Sequence, residues 1–344
     1  MVLLNVGPKA NYLMLKVVGL KDSQDILISI QPVSIQQLSK VVNLLKVYKS
    51  KNPDRIDSYN SVRAKDVILL HLYMRPTSHT DIISYVRAHS GHSHVILIDP
   101  DDASPDVAAQ RCIAAVAAGS KMIFVGGSSG TDEDNVHPTV VAIQEALELC
   151  KWNSSQDAGL SENAWEVPVV LFPQGAAALS PSADAITFMM LMNSTNPEFL
   201  VGEQVRGAPY IRKAGVEPMG MGYVICAPGG KAGEVGQAKL IEADQTDLVA
   251  AYAMCAESYG FSILYLEAGS GAETPVHPNL IRAARAASDK LVLLVGGGIR
   301  DGATAKAARD AGADWIVTGN LCEEFSNAHE LQTTLETFIK ELES

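Results

Sequence analysis

From about residue 78 onward, the chain alternates between two kinds of segment. Short apolar runs rich in β-branched residues are separated, for the most part, by longer alanine-rich segments with helical spacing of their apolar positions. Such runs are typical of parallel strands that are buried on both faces. They occur at His94–Ile98, Met122–Val125, Val167–Phe172, Ile186–Met192, Tyr223–Cys226, Ile263–Leu266, Leu291–Val295 and Trp315–Val317. Eight such strands with intervening helices predict an α/β fold, a (β/α)8 or TIM barrel, over residues 78–344.

One connection in this pattern departs from the rule. Helices are predicted between most of the strands, at Asp106–Ala118, Thr139–Cys150, Leu240–Tyr259, Pro278–Ser288 and Ala303–Ala311. Between Phe172 and Ala185, however, the sequence PQGAAALSPSAD is too short and too interrupted by Pro and Gly for a crossover helix. We therefore expect an irregular or extended segment in place of the third helix, with an apolar opening along that side of the barrel.

Residues 1–77 carry a weaker pattern. Modest alternation at Tyr12–Val18 and Ile26–Ile30 is followed by a helical piece at Val33–Tyr48 and an apolar run at Val67–Met74. This mixture predicts a small N-terminal α/β extension, in which no residue indicates chemistry.

Composition limits the partners of this 344-residue chain. With 27 basic and 39 acidic residues the net charge is −12, which argues against a general binder of nucleic acid or of anionic membranes. The five cysteines are odd in number and lack metal-ligand spacing, so we expect reduced thiols in a cytoplasmic protein. No apolar run approaches the ~20 residues of a transmembrane helix.

The first candidate site follows the first two barrel strands, because barrel active sites form where strands end. Asp99 ends the first strand, and Ser128 follows the second. A carboxylate with a neighbouring hydroxyl offers Mg²⁺ two oxygen ligands, and water and substrate phosphates complete its shell. The alternative is that Asp99 only caps the turn before Pro100.

The sixth strand runs into the sequence YLEAGSG at 265–271, which places Tyr265 and Glu267 on one face. A carboxylate at the barrel mouth can accept a proton from a substrate hydroxyl. The alternative is a buried acid paired with a basic residue inside the barrel.

Glycines follow the seventh and eighth strands, at Gly296–Gly298 and at Gly319 next to Asn320. In TIM barrels these two loops commonly bind phosphate, since small residues let backbone N–H groups converge on the anion. Glycines in a row can also simply make a turn.

A fourth feature is apolar. The strand Ile186–Met192, with Ala176–Leu179 before it, could line a groove for a long hydrocarbon beside the missing helix. The alternative is that these residues are ordinary core.

Together these motifs resemble the geranylgeranylglyceryl phosphate synthase family of archaeal prenyltransferases and, more distantly, the bacterial heptaprenylglyceryl phosphate synthases. The matching stretches cover almost all of residues 90–325 and stand in the order of the family. They are HVILIDPDD (94–102), FVGGSSGTDEDNV (124–136), VVLFP (169–173), SADAITFMMLMNSTNPEFLVGEQ (182–204), EPMGMGYVICAPGG (217–230), YLEAGSGAETPV (265–276), VGGGIRDGATA (295–305) and TGN (318–320).

The resemblance implies transfer of a geranylgeranyl group from its diphosphate to the 3-hydroxyl of sn-glycerol 1-phosphate. It implies Mg²⁺ at Asp99 and Ser128. As a hypothesis for the mechanism of this transfer, we expect Glu267 to act as the base and Tyr265 to orient the acceptor. The implied glycerol phosphate contacts are Tyr265, Leu266, Glu267, Ala268, Gly269, Ser270, Gly271, Gly297, Gly298, Gly319 and Asn320. It also implies a barrel without its third helix and a homo-oligomer, dimeric or hexameric, with a peripheral membrane contact for the lipid product.

Three departures from the family pattern stand beside this resemblance. Directly after Asp-Pro-Asp the family's motif carries a lysine, whereas this chain has Asp102 followed by Ala103. The PQGAAAL loop is unfamiliar, and residues 1–77 have no counterpart in the family pattern. Two other functions are therefore weighed: an isomerase or synthase of the phosphate-binding barrel class acting on a sugar phosphate, and a barrel that binds phospholipid precursors without turnover.

Overall fold

The computed structural model describes residues 2–5, 14–17, 26–29, 81–156, 162–323, 325 and 327–344. The chain divides into two compact units, Met1–Pro76 and Thr77–Ser344. In the first unit, the strands β1 (Val2–Asn5), β2 (Met14–Val17) and β3 (Ile26–Ser29) form an antiparallel sheet in chain order. The helix predicted at 33–48, the apolar run predicted at 67–74 and the boundary predicted after residue 77 lie outside the described residues.

The second unit contains a closed barrel of eight parallel strands, which confirms the predicted fold. The strands are β4 (Ser93–Ile98), β5 (Met122–Val125), β6 (Val169–Leu171), β7 (Ala185–Leu191), β8 (Glu217–Ile225), β9 (Ile263–Glu267), β10 (Val292–Gly296) and β11 (Trp315–Thr318). They follow one another around the barrel in chain order, and β11 pairs with β4. The carboxyl ends of all eight strands therefore meet at one end of the barrel.

Strand β8 begins six residues before the predicted run, because two glycines interrupt its apolar pattern. A Cβ on Gly222 would lie 2.8 Å from the sulfur of Met192 and 3.1 Å from Ala256, so close packing excludes a side chain there. The glycines that interrupt the apolar pattern therefore lie inside the strand, where close packing favours them, and do not mark its end.

The described helices include all those predicted between the barrel strands, although the helix predicted at Leu240–Tyr259 begins only at Thr246. They are α1 (Ile82–Ala88), α2 (Pro105–Ala118), α3 (Glu133–Gln156), α4 (Glu203–Ala214), α5 (Gly230–Val235), α6 (Thr246–Ser258), α7 (Pro278–Ala287), α8 (Gly302–Asp310), α9 (Asn320–Glu323) and α10 (Ala328–Glu343). A π-helical turn at Glu198–Gly202 leads into α4, and a 3₁₀ turn occupies Glu162–Trp165. None of these described helices is both long and apolar enough to cross a bilayer.

Residues 172–184, between β6 and β7, form turns and bends without a helix, as predicted. Helix α4 holds this segment in place, because the Glu203 carboxylate accepts a hydrogen bond from the Ala176 N–H at 2.7 Å. A Cβ on Gly207 would lie 3.6 Å from Ala176 and 3.7 Å from Leu179, which are ordinary van der Waals distances, so the segment packs directly against the helix here. The third position of the helical ring is therefore taken by a thin, irregular wall.

Helix α1 closes the N-terminal end of the barrel. Ile82 and Val86 are fully buried, and the Glu217 carboxylate at the start of β8 accepts hydrogen bonds from the Ile82 N–H. The Trp315 indole N–H donates to the Val86 carbonyl at 3.1 Å. With that end plugged, a substrate must enter at the opposite end, where the strands terminate.

Candidate active site

Glu267, the last residue of β9, points into the barrel and is only 6% exposed. Its carboxylate accepts a short hydrogen bond from the Tyr223 hydroxyl, which β8 supplies. Burial raises the pKa of Glu267 from its ordinary 4.5 to about 7, and the Tyr223 hydrogen bond opposes part of that rise. A carboxyl that titrates near neutral pH can both take and release a proton under physiological conditions.

Four aromatic rings form the floor beneath this carboxylate. Tyr223 and Tyr265 stack with their centroids 5.3 Å apart, and Phe172 packs edge-on to both at 5.8 and 5.7 Å. Phe124 stacks on Phe172 at 5.4 Å. Burial, followed by the charge of Glu267, raises the pKa of each tyrosine well above its ordinary value, so both stay protonated and Tyr223 is the donor toward Glu267.

Gly296, at the end of β10, makes room for this floor. A Cβ there would lie 2.2 Å from the Tyr265 hydroxyl, so the ring requires a glycine beside it. The sequence indicated Gly296 as part of a phosphate-binding loop, and gave no sign of this packing against Tyr265. The role predicted for Tyr265, orienting the acceptor, stays a prediction.

The glycine turns converge at the same end of the barrel. The Ala268 N–H donates to the Gly296 carbonyl at 3.0 Å, and the Gly271 N–H donates to the Asn320 side-chain oxygen at 3.0 Å. Gly297 has φ +77°, and a Cβ there would lie 2.7 Å from the Gly269 nitrogen. The structure thus brings the predicted phosphate segments into direct contact: 268–271, 296–298 and 319–320.

Two of the predicted contact residues present no side chain to this site. Leu266 and Ala268 are wholly buried in the outer core, between the barrel and its helices. Their contribution to the site is therefore confined to the backbone, in contrast to Glu267 between them.

Asp99 lies at the end of β4 and is partly buried. One carboxylate oxygen accepts the Asp101 N–H at 3.0 Å, so Asp99 does cap the following turn. A Cβ on Gly127 would lie 2.1 Å from the other oxygen, which shows that the loop carrying Ser128 packs directly against the carboxylate. Burial is the main cause of the raised pKa of Asp99; the charges of Asp101 and Asp102 add to it, whereas the Asp101 N–H and the charge of Lys231 oppose it.

These donors suit Mg²⁺ in their chemistry. A carboxylate and a neighbouring hydroxyl are hard oxygen ligands, and Mg²⁺ commonly binds through few protein groups while keeping water and phosphate oxygens. Within the described residues no three His, Cys, Asp or Glu side chains cluster as a metal-binding group. The described residues therefore contain no metal site formed by such side chains alone. Asp99 and Ser128 would need substrate oxygens to complete the coordination shell of Mg²⁺.

An apolar cavity runs from this rim to the gap left by the missing helix. Ser128 lies at one end, Tyr223 borders the interior, and the wall segment and α4 form the outer side. The apolar part of the lining includes Phe172, Ala176, Leu179, Ile186, Phe188, Met189, Leu191, Phe199 and Ile211. The predicted groove residues are therefore largely present, although Met190 and Met192 do not line the cavity.

Sequence reasoning did not identify Tyr223 or Gln204. Tyr223 is two residues from the end of β8, and an interior hydroxyl so close to a strand end could have indicated a site. Gln204 lines the cavity and donates to the Met189 carbonyl, which fixes α4 against β7. Its position in a helix interrupted by Gly and Pro hid it from the pattern.

Comparison with known proteins agrees with this geometry. A family model described as the PcrB family matches residues 154–340. The geranylgeranylglyceryl phosphate synthase of Methanococcoides burtonii is 39% identical over 260 residues, covering 76% of this chain and 98% of its own. The chain belongs to the geranylgeranylglyceryl phosphate synthase family. The family's enzyme from Methanobrevibacter smithii is 42% identical over 231 residues, or 67% of this chain and 85% of its own.

Solved structures of the family share the fold. The crystal structure of (S)-3-O-geranylgeranylglyceryl phosphate synthase from Thermoplasma acidophilum, in complex with substrate sn-glycerol-1-phosphate, has a TM-score of 0.66 at 34% identity and covers 77% of this chain and 98% of its own. The wild-type enzyme from Thermoplasma volcanium has a TM-score of 0.67 at 35% identity, covering 76% and 98%. The resemblance predicted from the sequence motifs is confirmed.

Proposed function

We propose that this chain transfers a geranylgeranyl group from geranylgeranyl diphosphate to the 3-hydroxyl of sn-glycerol 1-phosphate. This reaction forms the first ether bond of archaeal membrane phospholipids. The observation that carries the proposal is the position of Glu267: a carboxyl with a pKa of about 7 lies where the glycine turns and the apolar cavity meet. The names of its 39–42% identical relatives support the same activity.

The proposed transfer accounts for each bond and proton as follows. The 3-hydroxyl oxygen of glycerol phosphate forms a bond to the allylic carbon of the donor, and the bond from that carbon to the diphosphate breaks. The hydroxyl proton passes to the Glu267 carboxylate, and diphosphate leaves with the bonding electron pair. The buried floor of Tyr223 and Tyr265 limits access of water to the developing positive charge on the allylic carbon.

The acceptor phosphate is assigned to the three converging turns. Backbone N–H groups at Gly269–Gly271, Gly297–Gly298 and Gly319–Asn320 can approach an anion closely, because six of these seven residues carry a small side chain or none. This arrangement would bind the phosphate without a cationic side chain, in line with the acidic composition of the chain.

Mg²⁺ is assigned to Asp99 and Ser128. When bound, the ion would neutralise charge on the departing diphosphate. The Asp99 carboxylate is held in place for this role by the Asp101 N–H and by its packing against Gly127.

The prenyl chain is assigned to the apolar cavity. Ala176 and Leu179 supply its outer wall, and Phe188 and Met189 of β7 supply its inner wall. A sugar-phosphate isomerase or synthase would have no use for this apolar lining, which is the observation that favours prenyl transfer over that alternative.

A product analysis tests the proposal. The purified protein is incubated with Mg²⁺, both enantiomers of glycerol 1-phosphate, and a mixture of farnesyl, geranylgeranyl and heptaprenyl diphosphates, and the products are identified by mass spectrometry. We expect geranylgeranylglyceryl phosphate from the sn-1 enantiomer. Absence of any prenylated product refutes the proposal, and ligand binding without turnover supports the non-catalytic barrel instead.

The family resemblance also leads to a proposal for the oligomeric state and the cellular location of this protein. We propose a homo-oligomer, to be measured by size-exclusion chromatography with light scattering, and a cytoplasmic enzyme that contacts the membrane surface to release its lipid product. Cell fractionation tests the location.

A further inference from the structure

Strand β8 carries the hydrogen-bond partner of the proposed base close to its own end. Its Tyr223 hydroxyl donates to the Glu267 carboxylate, and two residues later Ile225 lies opposite Glu267 in the register of β8 and β9. The next N–H along the chain, from Cys226, donates to the Glu267 carbonyl at 2.7 Å. The last residues of β8 therefore determine where the Tyr223 hydroxyl meets the carboxylate.

On its other side, β8 extends beyond the end of β7. The pairing of the two strands ends at Leu191 and Tyr223, where the Met192 N–H donates to the Tyr223 carbonyl at 2.8 Å. Beyond this point the side chain of Asn193 takes the place of a strand. Its oxygen accepts the Ile225 N–H at 3.1 Å, and its nitrogen donates to the Ile225 carbonyl at 2.8 Å. One amide thus makes both hydrogen bonds that a longer β7 would make with Ile225.

The amide of Asn193 is buried, and its remaining N–H is also bonded. Asn193 is 3% exposed, and its side-chain nitrogen donates to the Lys239 carbonyl at 2.8 Å. The Lys239 N–H in turn donates to the Asn193 carbonyl at 2.8 Å. A buried amide is stable only when its polar atoms are paired, so these bonds hold the side chain in one orientation. Removing it would take the partner away from the Ile225 N–H.

Glu267 depends on Tyr223 for the stability of its charge. The titratable groups affected by the charge of Glu267 are Tyr223, Tyr265 and Cys226. Burial raises the pKa of all three, that of Cys226 to about 12, so they stay uncharged at neutral pH. Burial also raises the pKa of Glu267, and the hydrogen bond from Tyr223 opposes that rise. The geometry of this bond therefore affects how readily Glu267 releases its proton.

We propose that Asn193 is a positioning residue for the base, an inference that rests on the proposed function. By fixing Ile225, the amide holds the end of β8 in register with β9 and keeps the Tyr223 hydroxyl on the Glu267 carboxylate. Asn193 acts through the backbone of β8 rather than on the carboxylate directly. Loss of the amide releases the strand end on the β7 side, so the hydrogen bond from Tyr223 weakens and Glu267 keeps its proton up to a higher pH.

Four variants test this role: Asn193→Ala, Tyr223→Phe, the double variant and, as a control, Ser194→Ala. The Ser194 hydroxyl donates to the Gly236 carbonyl at 2.6 Å, so the control loosens the segment after β8 without removing a bond to Ile225. We measure kcat against pH and, by urea unfolding, the unfolding equilibrium constant at about pH 6 and about pH 9. If Asn193→Ala does not fold, Asn193→Ser takes its place, because it keeps one polar group at this position.

The pH–kcat profile should separate positioning from a merely structural role. Asn193→Ala should move the acid limb to higher pH by ~0.5 to 1 pH unit, and no further than Tyr223→Phe moves it. In the Tyr223→Phe background the same change should leave the limb where it is, because the hydrogen bond through which Asn193 acts is already absent. Ser194→Ala should keep the limb of the wild type.

Urea unfolding gives a measurement that does not depend on turnover. A higher folded-state pKa of Glu267 extends the pH range over which stability falls as pH rises. The destabilisation by Asn193→Ala should therefore be greater at pH 9 than at pH 6, by roughly three- to tenfold in the unfolding equilibrium constant. In the Tyr223→Phe background, and in Ser194→Ala, the destabilisation should be the same at both pH values.

Other outcomes separate this inference from the proposed function. An unmoved limb in Asn193→Ala, an equal movement in both backgrounds, or an equal movement in Ser194→Ala overturns the positioning role. A wild-type protein that forms no product overturns the proposed function, yet a pH-dependent destabilisation that requires Tyr223 still supports the coupling of Asn193 to Glu267. A destabilisation by Asn193→Ala that is the same at both pH values overturns that coupling.

Discussion

Replacing Glu267 by Gln tests the central carboxylate in two independent ways. Gln has the same shape and its side-chain oxygen can still accept the Tyr223 hydrogen bond, so the fold should be kept. It cannot take a proton from the acceptor hydroxyl. We therefore expect turnover to fall ~10²-fold or more, the usual contribution of a general base.

The same change should stabilise the protein at alkaline pH. The folded-state pKa of Glu267 lies above its ordinary value, so the folded protein binds this proton more tightly than the unfolded chain does. The unfolding free energy therefore decreases as pH rises from 4.5 to about 7 and then stays constant. A difference of roughly 2.5 pH units corresponds to about 3 kcal/mol, a penalty that Gln does not carry.

The assay compares thermal unfolding of the wild type and Glu267→Gln at pH 8 and near pH 4.5. At pH 8 the variant should unfold roughly 6 to 10 °C higher, and near pH 4.5 the two should nearly coincide. Glu273→Gln removes an exposed carboxylate from the next turn and serves as the control, with no change at either pH. Equal unfolding temperatures at pH 8 would refute the burial argument, and near-normal turnover would remove Glu267 from the mechanism.

Other substitutions probe the surroundings of this carboxylate. Tyr223→Phe removes the hydrogen bond that lowers the pKa of Glu267, so the acid limb of the pH–kcat profile should move to higher pH, and an unmoved limb would contradict this. Gly297→Ala should raise the KM for glycerol phosphate about tenfold, whereas Gly260→Ala, with a similar φ of +78° and no atoms near its Cβ, should cost only stability. Gly207→Leu should fill the groove and shift the products toward farnesyl, with Gly207→Ala as the control, and an unchanged product mixture would exclude this part of the cavity from chain selection.

The barrel and its missing helix were predictable because both follow from local patterns. Apolar β-branched runs indicate buried parallel strands wherever the strand lies in space. The Pro and Gly residues between Phe172 and Ala185 exclude a helix for reasons of backbone geometry alone. The glycine turns were predictable for the same reason, since their spacing after the strands requires no knowledge of distant partners.

The remaining features depend on contacts between distant residues. Tyr223 and Glu267 are 44 residues apart, and no local pattern indicates that their side chains meet. Helix α4 was missed because Gly207 and Pro209 interrupt its pattern, and the hydrogen bond that joins it to the wall segment, from the Ala176 N–H to Glu203, connects residues 27 positions apart. Asn193 follows β7 as the first of several polar residues, whereas in the structure its buried amide accepts the Ile225 N–H and donates to the Ile225 and Lys239 carbonyls.

A tyrosine as the partner of Glu267 suits the proposed role of this carboxyl as a base. A buried carboxylate requires a partner, and a lysine or arginine would satisfy it more strongly than a hydroxyl does. A cation there would, however, lower the pKa of Glu267 and weaken it as a base. Tyr223 supplies a hydrogen bond without a charge and leaves the pKa near 7. An uncharged partner is therefore what the proposed role of Glu267, a base that works at neutral pH, requires.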